Sequence, residues 1–188
     1  MKLGITTLRV AVGGTFIAHG VQKLFGWFGG PGLEGMGQGL EQMGLKPGKR
    51  HALIAGAAET GGGALLATGF LTPLGAAAVM SVMHQAVRMV HWDKGFFSAD
   101  GGYEFNLALS AAALALADTG PGPWSVDRAL GTEKSGPLWA LAALGAAFAG
   151  PRLLAQASTA PEPEPEPQQE RFVREPETAP APAPTTSA

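Results

Sequence analysis

The chain has 188 residues, 46% of them hydrophobic and only 15% charged, with a formal net charge of −2. Soluble domains carry about a quarter charged residues, and no concentrated basic patch is present, so a nucleic-acid partner is excluded. The absence of cysteine excludes disulfides, thiol redox chemistry, zinc–thiolate centres and iron–sulfur clusters.

Five apolar segments recur, at 5–26, 52–70, 74–91, 104–119 and 137–155, each near the roughly 20 residues that a bilayer crossing takes. They are rich in Ala and Gly and apolar nearly all round, which favours a membrane bundle over a soluble bundle of buried helices. The first segment reads as an uncleaved helix rather than a signal peptide: Lys2 supplies a basic end, but Arg9 interrupts the apolar region and no small-x-small cleavage site follows.

The first helix ends at WFGGPG, where Gly and Pro break it. Beyond it Leu33, Met36, Leu40 and Met43 recur at spacings of three and four. They form one apolar stripe on a helix too short to span, placed at the interface or dipping toward the bundle, and Pro47-Gly48 closes it. In the second long helix Ala52, Gly56, Thr60, Ala64 and Thr68 recur every four residues, a pattern that lets backbones approach closely in lipid. The LTP turn at 71–73 is so short that the helices on either side of it are antiparallel neighbours. Trp92, Phe96, Phe97, Tyr103 and Phe105 then read as an interfacial aromatic belt. After the fourth helix, WSVDRALG reads as a surface turn capped by Ser125 or Asp127. The fifth apolar segment carries Pro151 and Arg152 near its end. The tail from Ala157 holds six Glu and two Arg, a net of −4; with −2 for the whole chain, residues 1–156 stand at +2. Its PEPEPEP and APAPAP runs are solvated, extended chain, serving as a spacer or as a docking segment for a partner. The division expected is a four-helix membrane core over 1–130, a linker and fifth helix over 131–156, and a disordered tail over 157–188. Lys and Arg are nearly balanced between the two ends, which leaves membrane orientation open.

An ionisable side chain at the centre of a span costs roughly 2.5–3.5 kcal/mol. Arg9, His19, Lys23, Glu59, His84, Arg88, His91 and Glu104 all lie in or beside the apolar segments. At about 100° per residue, His84, Arg88 and His91 share one helix face, and His19 and Lys23 share another. Glu59 is the only acidic group in mid-span and is the natural counter-ion of Lys23 or Arg88. Glu104 opens the fourth helix, where the dipole favours a carboxylate. If these faces converge, His19, Lys23, Glu59, His84, Arg88 and Glu104 form a polar chamber. Competing readings place Arg9 at the interface, let Lys23 snorkel to it, and put Arg88 and His91 at the interfacial end of their helix. Glu59 has no such escape and has to be paired, protonated or beside water.

The same residues constrain the chemistry. A carboxylate-bridged di-iron site needs Glu-x-x-His pairs and none occurs, so no metal is expected. Haem needs axial histidines, and no paired pattern across two helices is evident. A quinone site needs a donor at each carbonyl, a carboxylate or His for protons and flat apolar walls, which Glu59, His84, Arg88, Phe25 and Trp27 supply. Proton or solute transport uses similar residues. No phosphate-binding loop, dinucleotide fingerprint or hydrolase motif appears. No cofactor is evident, and quinone is the one that the residues accommodate.

Four stretches carry a family resemblance: R-x-x-x-G-x-x-F-x-x-H-G-x-x-K-L from Arg9 to Leu24, A-A-E-T-G-G-G-x-L-L-x-T-G from Ala57 to Gly69, G-G-Y-E-F-N-L from Gly101 to Leu107, and G-P-G-x-x-S-x-D from Gly120 to Asp127. Together they resemble the DoxX family of small bacterial membrane proteins, over roughly residues 5–130. The resemblance implies a four-helix membrane core. It also implies a link to quinone-dependent oxidation of thiosulfate or to membrane complexes that handle oxidative or thiol stress. His19, Lys23, Glu59 and Glu104 fall within the matching stretches. The expectation is therefore an all-α transmembrane bundle of the bacterial inner (plasma) membrane, multi-pass, in contact with the lipid bilayer and with a redox protein partner. It would be a membrane subunit of a quinone-linked oxidoreductase or redox-stress complex. The alternative is a non-enzymatic carrier of a small solute or proton, or a membrane scaffold.

Overall fold

The computed structural model describes residues 3–158. The bundle is built outward from one helix pair. Helix α1 (Leu3–Phe25) and helix α3 (Gly48–Thr68) run antiparallel and make the most extensive helix–helix contact. Gly13 faces Gly63 and Ala67, and Gly20 faces Gly56 and Thr60. A Cβ on Gly13 would fall 2.5 Å from the Gly63 carbonyl oxygen, and one on Gly63 would fall 2.6 Å from that of Gly13. Only hydrogen fits there, and the two backbones are in direct contact, as small residues allow. The four-residue series from Ala52 accounts for half of this seam, Gly56 and Thr60. The other half passes to Gly63 and Ala67, because a row of every fourth residue drifts around a helix of 3.6 residues per turn.

Between these helices the chain turns at left-handed Gly26, makes a 3-10 turn over Trp27–Gly29 and forms α2 (Gly32–Gln42). This is the expected short striped helix. Leu40 is buried, and α2 packs on α3. It is fastened there by the Lys49–Glu34 ion pair and by the Gly48 amide, which donates to Glu41 Oε1 at 2.9 Å.

Helix α3 ends at left-handed Gly69, the usual glycine stop. After the short turn α4 (Thr72–Ala86) returns antiparallel, with Gly62 against Gly75 and Ala78. A π-helical turn, Val87–His91, extends it. Helix α5 (Glu104–Thr119), the short α6 (Val126–Leu130) and α7 (Pro137–Ser158) complete the order, and α7 packs on α4 and α5. The core contains Val12, Phe16, Leu66, Val79, Met80 and Leu116. From α7 the buried members are Ala140, Ala143 and Ala147, with Leu144 packed against them, among the described residues.

All regular elements among the described residues are helical, and the five long helices lie where the apolar segments predict them. Of the expected transmembrane bundle the all-helical part is observed; among the described residues, no helix is long and apolar enough to cross a membrane. Helices α4 and α5 have 15 and 16 residues. The longer α1 and α3 carry Arg9, His19 and Lys23, and Glu59 with a run of glycines, all of which lower their mean hydropathy. The expected disordered tail lies outside the described residues, apart from the last turn of α7.

The seam makes a direct prediction. Gly63→Val forces α1 and α3 apart and destabilises the bundle by about 1–3 kcal/mol, the usual overpacking cost. Gly61→Ala, two residues away with open space around it, raises helix stability by up to about 1 kcal/mol. Thermal unfolding of both purified variants checks the pair.

Candidate functional site

Beyond the seam, towards the end of α1, the Lys23 ammonium of α1 meets the Glu59 carboxylate of α3 at Oε1. Glu59 is 2% exposed and Lys23 21%. Of the two counter-ions open to Glu59, Lys23 is the one beside it, and the nearby contact of Gly20 with Gly56 brings the two side chains within reach. Glu59 Oε2 is buried and has no hydrogen-bond partner. An ionised carboxylate accepts several bonds, and an unmet acceptor in a low-dielectric site is costly, so this oxygen is the open valence of the site.

The pair lines a cavity of about 450 Å³ walled by α1, α3, α4 and α5. His19 and Asn106 stand in its wall beside Phe16, Met83 and Phe105. His19 is exposed and forms part of the mouth. Asn106 is buried and its amide donates to Met83 Sδ at 3.4 Å. His91 also lines the cavity. Its Nδ1 lies 2.6 Å from the Gly101 carbonyl oxygen, which can only accept, so Nδ1 carries a proton and Nε2 is left for other chemistry.

A second cavity, about 360 Å³, lies between α2, α3, the end of α4 and Pro151 of α7. Its wall is mainly apolar and includes Met36, Met43 and Met89. Lys23, Val82 and Ala86 belong to both cavities. Gln85 lines the second one, with a buried Oε1 that has no partner.

Three of the expected chamber residues are elsewhere. His84 packs edge-on against Phe148 of α7, ring centroids 4.5 Å apart, and lines neither cavity. Arg88 is exposed, forms no ion pair among the described residues, and also lines neither. The shared face inferred for His84, Arg88 and His91 assumes α-helical spacing. The π turn over Val87–His91 takes more residues per revolution, so His91 reaches the polar cavity while Arg88 points away. Glu104 does open α5 but does not line the cavity; its Oε1 accepts from the Ser98 amide at 2.8 Å, so it organises the preceding loop, whose Ser98, Gly101 and Gly102 form part of the cavity wall.

Arg9 is not interfacial. It is 3% exposed and its guanidinium donates to the carbonyls of Pro121 at 2.7 Å and Trp124 at 2.6 Å. Beside it Asp127, 1% exposed, accepts from the Leu71 and Thr72 amides at 3.1 and 3.3 Å and from the hydroxyls of Thr72 and Thr132. Ser125 caps α6, accepting from the Arg128 amide, so Asp127 is left to cap α4. At the surface Arg128 bonds Glu133, and that hydrogen bond and the Glu133 charge hold its guanidinium above the ordinary value. This clasp was not legible as a cluster, although Arg9, Gly69 and Asp127 each belong to a quoted stretch.

Two outcomes follow. Lys23→Met strands the Glu59 carboxylate and costs on the order of 3 kcal/mol, most of which returns in the Lys23→Met/Glu59→Leu double variant. Unfolding in mild detergent measures both; a double variant no better than the single one would show that charge compensation is not the source. Asp127→Ala leaves four donors without their acceptor and lowers stability by about 2 kcal/mol, read as a lower denaturation midpoint.

A family model described as DoxX matches residues 4–92. The match takes in α1 to α4, with Lys23 and Glu59, and ends before the stretches at 101–107 and 120–127. No curated protein and no solved structure matches the chain. With the Arg9–Leu24 and Ala57–Gly69 stretches inside the match and joined face to face in the fold, residues 4–92 are a match to the DoxX family, a membrane-associated family.

Proposed function

We propose that this chain is a multi-pass protein of the bacterial inner membrane, and that the chamber at Lys23 and Glu59 takes the polar head of a quinone or quinol in the service of a partner oxidoreductase. Membrane embedding is supported by the distribution of side-chain size. Helix α7 turns alanines inward, while Leu138 and Leu141 are 77% and 66% exposed. Val10, Leu53, Leu74 and Leu107 are also more than half exposed on their helices. Small residues inside and large apolar ones outside suit lipid and are poorly suited to water. Arg9 and Glu59, which depress the mean hydropathy of α1 and α3, face inward, so lipid would not meet them. Phe25, Trp27 and Phe28, and Trp92, Phe96 and Phe97, stand exposed at one end of the bundle, where a headgroup region would favour them.

The observation that carries the ligand reading is Glu59: buried, lining a cavity, with one oxygen on Lys23 and the other unpartnered. A donor group on a ligand would meet that oxygen. A bound quinone supplies two-electron chemistry that none of the side chains here provides. The residues would then do the rest. Lys23 holds negative charge at Glu59 Oε1 and can donate to a ligand oxygen. Glu59 takes or releases a proton at Oε2. His19, at the mouth, exchanges protons with the outside. Electrons would come from or go to the partner protein.

Purification in mild detergent, solvent extraction and identification of bound quinone test this reading. Quinone is expected to co-purify, and Glu59→Gln is expected to lower its occupancy at least tenfold while the helical content stays unchanged. A preparation with neither quinone nor an oxidoreductase partner would instead favour the carrier or scaffold.

A further inference from the structure

We propose that the apolar cavity is the second chamber of the same site and holds the hydrocarbon tail of the ligand whose polar head meets Lys23 and Glu59. The inference rests on the head-group reading above and specifies the ligand further: an amphipathic, membrane-soluble molecule, recognised at both ends.

The two cavities share a wall made of Lys23, Val82 and Ala86. On one side of that wall lie a carboxylate, histidines and an amide. On the other the lining is mainly apolar, Met36, Met43 and Met89 with Leu40 and Ile54, and its polar members besides Lys23 are His51, Ser81 and Gln85. A single amphipathic molecule is complementary to that change of polarity, whereas a small polar solute would have no use for the apolar side. Three methionines suit a flexible chain, because their unbranched thioethers repack around different shapes. Each cavity falls within the roughly 300–1,000 Å³ range of small-molecule pockets.

The outer wall is also a built one. Helix α2 is fixed to α3 by the Lys49–Glu34 pair, by the Gly48–Glu41 bond and by a backbone approach so close that a Cβ on Gly48 would lie 2.0 Å from the Gly37 carbonyl oxygen. Within this mainly apolar lining Gln85 keeps a buried oxygen without a partner.

The test compares two probes on the full chain in detergent: a benzoquinone carrying a ten-carbon alkyl chain and the same benzoquinone without it. The tailed probe should bind at least tenfold more tightly. Met36→Trp fills the apolar chamber from α2, a helix that contributes nothing to the polar one. It should abolish that difference while leaving the affinity for the tailless probe unchanged. Leu45→Trp, which enters the same chamber from outside any helix, serves the same purpose if Met36→Trp misfolds. Equal affinity of the two probes, as when the chamber is filled by a bilayer lipid, overturns the inference and leaves the head-group reading intact. A tail effect that persists in a folded Trp variant also overturns it. Failure of both probes to bind overturns the head-group reading, and this one with it.

Discussion

The contact between α1 and α3 is the constraint from which the rest of the bundle follows. Two helices whose backbones touch at Gly13–Gly63 and Gly20–Gly56 have no freedom in register. That fixed register is what puts Lys23 beside Glu59. A buried ion pair is not a source of net stability, because the desolvation of two charges roughly cancels their attraction. A seam made of glycine, with little side-chain area to bury, supplies little either. What the two achieve together is position: a carboxylate held where only one of its oxygens is satisfied.

The opposite end of the molecule is organised by different means. There Arg9 and Asp127 join three separate pieces of chain through backbone groups rather than through each other. Arg9 satisfies carbonyls of the 120–125 segment, and Asp127 satisfies amides at the start of α4. Asp127 also holds Leu71 at positive φ, a conformation that a bulky residue rarely adopts unaided. One end of the bundle is thus closed, with Arg9 anchored through both terminal nitrogens and Asp127 through both oxygens, and the other is open, with charged and polar groups around cavities. Function is expected at the open end, because Glu59 and Gln85 keep unpartnered buried oxygens there and line cavities that something else can fill.

The helices were legible because long apolar segments separated by Gly and Pro leave few alternatives. The importance of Glu59 was legible too, since a lone acid in mid-helix has to find a partner. The composition of the chamber was less so. Periodicity shows which residues share a face of one helix, and it carries no information about which helix that face meets. His84 shares a face with residues expected at Glu59, yet that face turns toward Phe148 of α7. The π turn at Val87–His91 then removes Arg88 from the face altogether and brings in His91. Arg9 was misplaced for a similar reason: proximity to a helix start reads as proximity to water, and its partners lie 112 and 115 residues away.

Sequence alone settled the helical class, the approximate extent of each long helix, the family stretches and the need of Glu59 for a counter-ion. All of these are properties of one residue or of one local period. Tertiary structure decided that the counter-ion is Lys23, that Arg9 and Asp127 clasp the far end, and that a polar cavity and an apolar one share a wall. Those depend on helix register and on which faces meet, and here both are set by contacts between glycines tens of residues apart.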